Sequence, residues 1–204
     1  MTIKYDLEQV TSLTVAHTTG EGRGNVGAVS LRNFSIAIDS TMYVKTGELM
    51  RINMKAKFGV PVRYLALTHY HGDHIFGLKA FKDICILSSE MTSKIMSNDE
   101  TKTKYSEFIK GLAKEGPIGE GIEYIIPSLI FNNSLKIQDE DLYIEIFHTG
   151  GHTAGSSFIS FPHEKVVFAG DQVFQNTFPY AGLRGWKKCK MLKQTYMSRV
   201  MVRS

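Results

Sequence analysis

Short apolar runs, broken by polar and glycine-rich stretches, mark the first third of the chain as strand-rich. "SLTVAH", "NVGAVSL" and "FSIAIDS" each predict a strand, and "TTGEGRG" predicts the loop between the first two. That loop lacks the Lys-Ser/Thr ending of a phosphate cradle and opens no helix, so it reads as a hairpin connection. His17 stands alone at a strand end and reads as structural. Over residues 46–58 the period changes. Leu49, Ile52, Met54 and Phe58 fall on one broad helical face, with Thr46 as the predicted cap. "VRYLAL" predicts a strand, "IFGLKAFKD" a helix and "ICILSS" a buried strand. "MTSKIMSNDETKTKYSEFIKGLAKEG" predicts a mostly helical segment that ends at Gly116-Pro117. Its stripe of Tyr105, Phe108, Ile109 and Leu112 reads first as core, although a helix beside a cleft would also cap it.

"LIFNNSLKI" and "LYIEIFH" then predict strands joined at "QDED", and "SSFISF" and "KVVFAG" predict two more joined through "PHEK", with His163 exposed in the turn. The last segment repeats Trp186, Cys189, Leu192, Tyr196 and Val200 at helical spacing. The order predicts an α/β chain with two similar halves, two sheets packed between helices in one domain spanning residues 1–204.

Composition narrows this only slightly. A chain of 204 residues, 43% hydrophobic and 22% charged, suits one soluble domain. No apolar run approaches the roughly 18–20 residues of a membrane span, and "MTIKYDLEQV" has no apolar leader core, so the expectation is a cytoplasmic protein with no membrane partner. Cys85 and Cys189 form no CxxC pair and read as free thiols. The charge of +4 is uneven: seven basic and no acidic residues follow position 183, which leaves residues 1–183 at −3. That tail reads as a solvated helix face, and nucleic acid is not an expected partner. The expected partner is a small-molecule substrate.

Three polar clusters follow apolar strands directly: "LALTHYHGDH", "YIEIFHTGGH" and "VVFAGD". In sheets with helical crossovers, functional groups gather at the carboxyl ends of strands. His69, His71, Asp73, His74, His152 and Asp171 are therefore expected to meet. Imidazole and carboxylate suit zinc, with iron or manganese as alternatives, and the absence of nearby cysteine argues against a closed structural site. His69 and His71 are two apart and point the same way in extended backbone. Gly72 is expected to turn the chain and offer Asp73 and His74 to a neighbouring ion. His148 is not counted as a ligand; it reads as a core residue or an outer support.

The run T-H-x-H-x-D-H, with "HTGGHTAGS", "FAGD" and the opening "NVGAVSL" and "AIDS", resembles the metallo-β-lactamase-fold hydrolase superfamily over about residues 10–190. The resemblance implies a four-layer αββα sandwich with its metal site at one edge of the sheets. It implies that His69, His71 and His152 hold one ion, that Asp73 and His74 hold a second, and that Asp171 bridges them. There are two departures. Gly150 stands where the family often has proline. No histidine follows His163, whereas the family usually supplies a last one. Either the chain lacks the usual C-terminal end, or its second site is weak or empty, or a partner completes it; one or two ions are expected, and a homo-oligomer if a sheet edge is left open.

The activity expected is metal-dependent hydrolysis. Water acidified by the ion attacks an ester, thioester, lactone or amide carbonyl, with Asp73 holding or relaying the proton. The alternatives are a one-iron oxidoreductase acting on a thiol-derived substrate through His69, His152 and Asp171, and a non-enzymatic metal-binding member. Phe178, Tyr180 and Trp186 are expected substrate contacts, with core packing the competing reading.

Overall fold

The computed structural model describes residues 5–19 and 23–173. Alternation of side chains along each strand builds two cores from one sheet. β1 (Glu8–Thr11), β2 (Thr14–His17), β3 (Val26–Ser30), β4 (Ser35–Ile38), β5 (Val62–Ala66), β6 (Cys85–Ser89) and β7 (Leu129–Phe131) lie side by side in that order. β1 to β4 pair antiparallel, and β4 to β7 pair parallel. Ala37 of β4 and Leu65 of β5 face a helical layer. Their neighbours Ile36, Ile38 and Ala66 face the second sheet.

The second sheet runs β11 (Val166–Phe168), β10 (Ser157–Phe161), β9 (Leu142–His148), β8 (Ser134–Asp139), all antiparallel. Ile144, Ile146, Ile159, Phe161 and Phe168 fill the space between the sheets. A carboxylate ties the far end together: Glu164 accepts from Thr11, Ser12, the Leu13 amide and Thr14, which pins the β1–β2 hairpin to the β10–β11 turn. All four α-helices of the described residues belong to the layer outside the first sheet: α1 (Val44–Phe58), α2 (Gly72–Ile75), α3 (Glu90–Ser97) and α4 (Asp99–Leu112). The mixed α/β, two-sheet architecture is as expected. The predicted C-terminal helix, and with it the second helical layer, lies outside the described residues. No helix among the described residues is long and apolar enough to cross a membrane.

Several boundaries differ from expectation. α1 begins at Val44, and its cap position is Tyr43, whose side chain makes no capping bond. Thr46 lies inside the first turn, where its hydroxyl donates to the Tyr43 carbonyl at 2.9 Å. The buried stripe is Thr46, Gly47, Met50 and Met54, whereas Ile52 is 62% exposed. Of the predicted apolar face, Met54 is buried and Leu49 and Phe58 pack against the core as expected; only Ile52 departs, and Met50 takes the place it was expected to fill. The long segment after β6 is two helices. Asn98, with extended backbone, ends α3, and its side chain accepts from the Glu100 and Thr101 amides to start α4. "LIFNNSLKI" is likewise two strands in different sheets, with Asn132 and Asn133 at the crossing.

The phase of α1 sets a test. Met50→Ala is expected to lower urea-unfolding stability by about 2–5 kcal/mol, and Ile52→Ala by less than about 0.5 kcal/mol. The reverse order would place Ile52 rather than Met50 in the core.

Candidate metal centre

Parallel pairing of β4 with β5 sets the carboxyl ends of both strands side by side, and the first supports of the site come from there. The Asp39 carboxylate, directly after β4, is 2% exposed. It accepts from the Thr68 amide (2.8 Å) and the Thr68 hydroxyl (2.7 Å) after β5, and from Nδ1 of His74 (2.8 Å). Because the Thr68 hydroxyl donates to Asp39, the 3.0 Å contact between Thr68 Oγ1 and His69 Nδ1 has the imidazole N–H as donor. One carboxylate thereby sets the tautomer of two histidines, directly for His74 and through Thr68 for His69. Both rings are left with Nε2 pointing inward. These two Nε2 atoms are buried and make no hydrogen bond.

His71 is extended, and the short helix α2 begins at Gly72. Gly72 does not bring the turn through a left-handed conformation. A Cβ there would sit 2.6 Å from the Phe76 ring, so its role is to let that ring pack beneath the ligand loop. Asp73 and His74 lie in α2, which carries them from the His69/His71 side to a second position.

The second sheet supplies the rest. The loop after β9 is held at both ends: the Thr149 and Gly150 amides donate to Ser156 O at 2.9 Å, and the Ser157 amide donates to Thr68 O at 2.8 Å. His148 Nε2 donates to Ala154 O at 2.9 Å, and Ser89 and Thr92 at the start of α3 both donate to Gly155 O. His148 is thus an outer support of the loop that carries His152. Gly150 has φ +62°, a conformation closed to the proline that the family often carries there.

These loops bring all six expected residues together. His69, His71, His152 and Asp171 offer donor atoms within 4.8 Å of one another, and so do Asp73, His74 and Asp171. His71 Nδ1 and His152 Nε2 are 2.9 Å apart. Asp171 faces both sets with different oxygens: Oδ2 lies 3.6 Å from His152 Nε2 and 3.9 Å from His69 Nε2, while Oδ1 lies 3.3 Å from His74 Nε2. Asp73 Oδ2 is 3.4 Å from His74 Nε2.

Electrostatics separate the two sets. Burial and the neighbouring rings of His74, His71 and His152 hold His69 well below the usual histidine range. Burial, then His152, pushes His71 down to about 4 against the opposing pull of Asp73. Burial also disfavours charge on His74, but Asp39, Asp171 and Asp73 surround it and hold it well above the usual range. Burial raises Asp73, and the neighbouring His74, whose Nε2 lies 3.4 Å from Oδ2, outweighs it, leaving the carboxyl below its usual value. In the first set His69 and His71 are therefore held as neutral nitrogen donors, and the second set is a site that favours a cation.

Asp39 is the support that the site residues singled out from the sequence omit. It ends an apolar strand as Asp171 does, and that shared placement was the available signal. Phe178, Tyr180, Trp186 and the basic tail lie outside the described residues. Cys85 is a free thiol. His17 is buried and bonded to the Asp6 carbonyl, and His163 is exposed in its turn, both as expected.

Two sheets flanked by a helical layer, with a histidine–aspartate cluster able to hold a metal, define an α/β sandwich with a candidate metal centre. Residues 19–199 match the model of the metallo-beta-lactamase superfamily, and the chain belongs to that superfamily. A solved structure, the metallo-beta-lactamase from Pontibacter korlensis, superposes with a TM-score of 0.70 at 20% identity, covering 95% of this chain and 86% of that one. No curated protein matches the chain in sequence.

Two outcomes are expected. Asp39→Ala strands three buried donors and should cost about 3–5 kcal/mol in urea unfolding; a cost below about 1 kcal/mol would show that those donors find other acceptors. In the metal-free chain, His71 refuses a proton in the fold down to about pH 4, while the unfolded chain takes one near its ordinary value of 6.5. This group therefore withdraws stability as pH falls from about 6.5 toward 4. His71→Asn removes that share, so the variant should lose less stability than the wild type across this window. Equal losses would contradict the shift.

Proposed function

We propose that the protein is a metal-dependent hydrolase that cleaves an ester, thioester, lactone or amide bond. In this reading His69, His71 and His152 hold one divalent ion, Asp73 and His74 hold a second, and Asp171 serves both. The observation that carries it is Asp171, with one carboxylate oxygen toward each donor set. The Nε2 of His69 supports it, since a buried nitrogen without a hydrogen-bond partner is costly unless something fills the space it faces. Neutral imidazoles with carboxylates and no thiolate favour zinc.

Bound divalent ions supply Lewis acidity and lower the pKa of water to about 7. The chain's own groups do the rest. Asp39 and Thr68 keep His69 in the Nδ1–H tautomer, and Asp39 does the same for His74, so the donor atoms need no reorganisation. Asp73 lines the cavity beside the site and stays ionised at neutral pH, so it accepts a hydrogen bond from the attacking water and orients it. The cleft wall at His71 and Asp73 is where the substrate carbonyl approaches.

The second set has three donor residues against four in the first. That count favours one alternative, a single iron used to oxidise a thiol-derived substrate.

Metal analysis of the purified chain separates the two. One or two zinc ions per chain with ester or thioester turnover supports the hydrolase; one iron with oxygen uptake supports the alternative. His69→Ala and His152→Ala should each lose bound metal and at least about 100-fold in rate, since even outer supports of such sites are worth 10–100-fold. Full retention of both would remove these residues from the centre.

A further inference from the structure

A cavity of about 470 Å³ opens beside the candidate centre, with His71 and Asp73 in its lining. Its other walls are Met42, Phe76, Tyr105 and Phe108. Phe76 joins the two rings of α4: it meets Tyr105 edge to face at 5.3 Å and lies tilted 5.8 Å from Phe108, centroid to centroid. Phe108 is 49% exposed, although it belongs to the apolar stripe of α4 whose members Tyr105 and Leu112 are buried. It is one of the residues that line this cavity.

The polar groups of the lining are spent or balanced. The Tyr105 hydroxyl donates to the Tyr70 carbonyl at 3.0 Å, so only its ring is on offer. Lys104 and Glu107 stand three residues apart on the exposed side of α4 with opposite charges, so the rim selects neither anion nor cation. The volume lies in the range of small-molecule sites and is too small for a folded partner.

We propose that this cavity is the specificity groove of the enzyme and takes an uncharged alkyl or aryl group of the substrate, with Phe108 as its selecting residue. The inference rests on the hydrolase reading above. The substrate class is then an ester, thioester, lactone or amide that carries an apolar chain next to the bond cleaved, rather than a carboxylated or phosphorylated one. Phe108 acts by binding that chain and has no part in the bond-breaking step.

The test compares ethyl acetate, ethyl hexanoate, hexyl acetate and the monoethyl ester of adipic acid, followed by proton release with the metal-loaded chain. At least one of the two neutral esters with a six-carbon acyl or alkyl chain is expected to exceed ethyl acetate in kcat/KM by about two- to fourfold per added methylene, the range that partial to full burial supports. The adipate ester should gain far less. Phe108→Ala should lower the hexyl-to-acetate ratio at least fivefold with metal content unchanged, and Ile52→Ala, an exposed apolar change elsewhere, should leave the ratio alone. A flat ratio, or preference for the adipate ester, overturns the groove. Ligand-observed NMR with 1-hexanol needs no turnover. Saturation transfer that falls in Phe108→Ala supports the groove even if no ester is cleaved, in which case the hydrolase reading fails alone. No transfer to hexanol overturns the groove itself.

Discussion

The buried carboxylate of Asp39 is the interaction on which the site depends. It lies where β4 and β5 end side by side, and it takes every donor that the chain presents there: an amide, a hydroxyl and an imidazole N–H. A carboxylate so enclosed is costly to bury and tolerable only with this many partners. In return it holds the start of the ligand loop to the strand next to it and leaves two imidazole nitrogens facing inward. The arrangement requires the parallel pairing, because an antiparallel neighbour would place its carboxyl end at the opposite edge of the sheet.

The second sheet meets this loop through main-chain bonds as well as packing. Ser157 N–H reaches Thr68 O, and α3 reaches Gly155 with two hydroxyls. His152 is therefore located by the first sheet and by a helix packed on that sheet, as well as by its own strand. This explains how residues 81 positions apart, His71 and His152, come within 2.9 Å.

Much of the centre was legible in the sequence because strand-end placement is a local signal. "LALTHYHGDH", "YIEIFHTGGH" and "VVFAGD" each announce an apolar strand followed at once by donors, and the fold only has to bring the ends together. Asp39 escaped because a single aspartate after "SIAI" looks like any strand terminus; its three partners come from a loop 29 to 35 residues away. The exposure of Ile52 on α1 escaped for another reason. The apolar residues of α1 nearly encircle the helix, and the buried face is chosen by what packs on it, here Met50 and Met54 against the first sheet's outer face, rather than by hydropathy alone. The joint at Asn98 was hidden because asparagine caps a helix only when the backbone before it has already left helical geometry. Gly150 shows the opposite limit: a change that reads as small places the backbone where proline cannot follow.

The joint at Asn98 has a further consequence. The donor atoms hang from loops locked to strand ends, while the cavity wall carrying Tyr105 and Phe108 belongs to a helix that begins anew after an extended residue. On the proposed function, reactivity and selectivity fall to separate stretches of chain. Substitutions along the exposed side of α4 would then reshape what the molecule accepts without disturbing a single donor nitrogen, so descendants of this sequence could change diet while keeping the same chemistry.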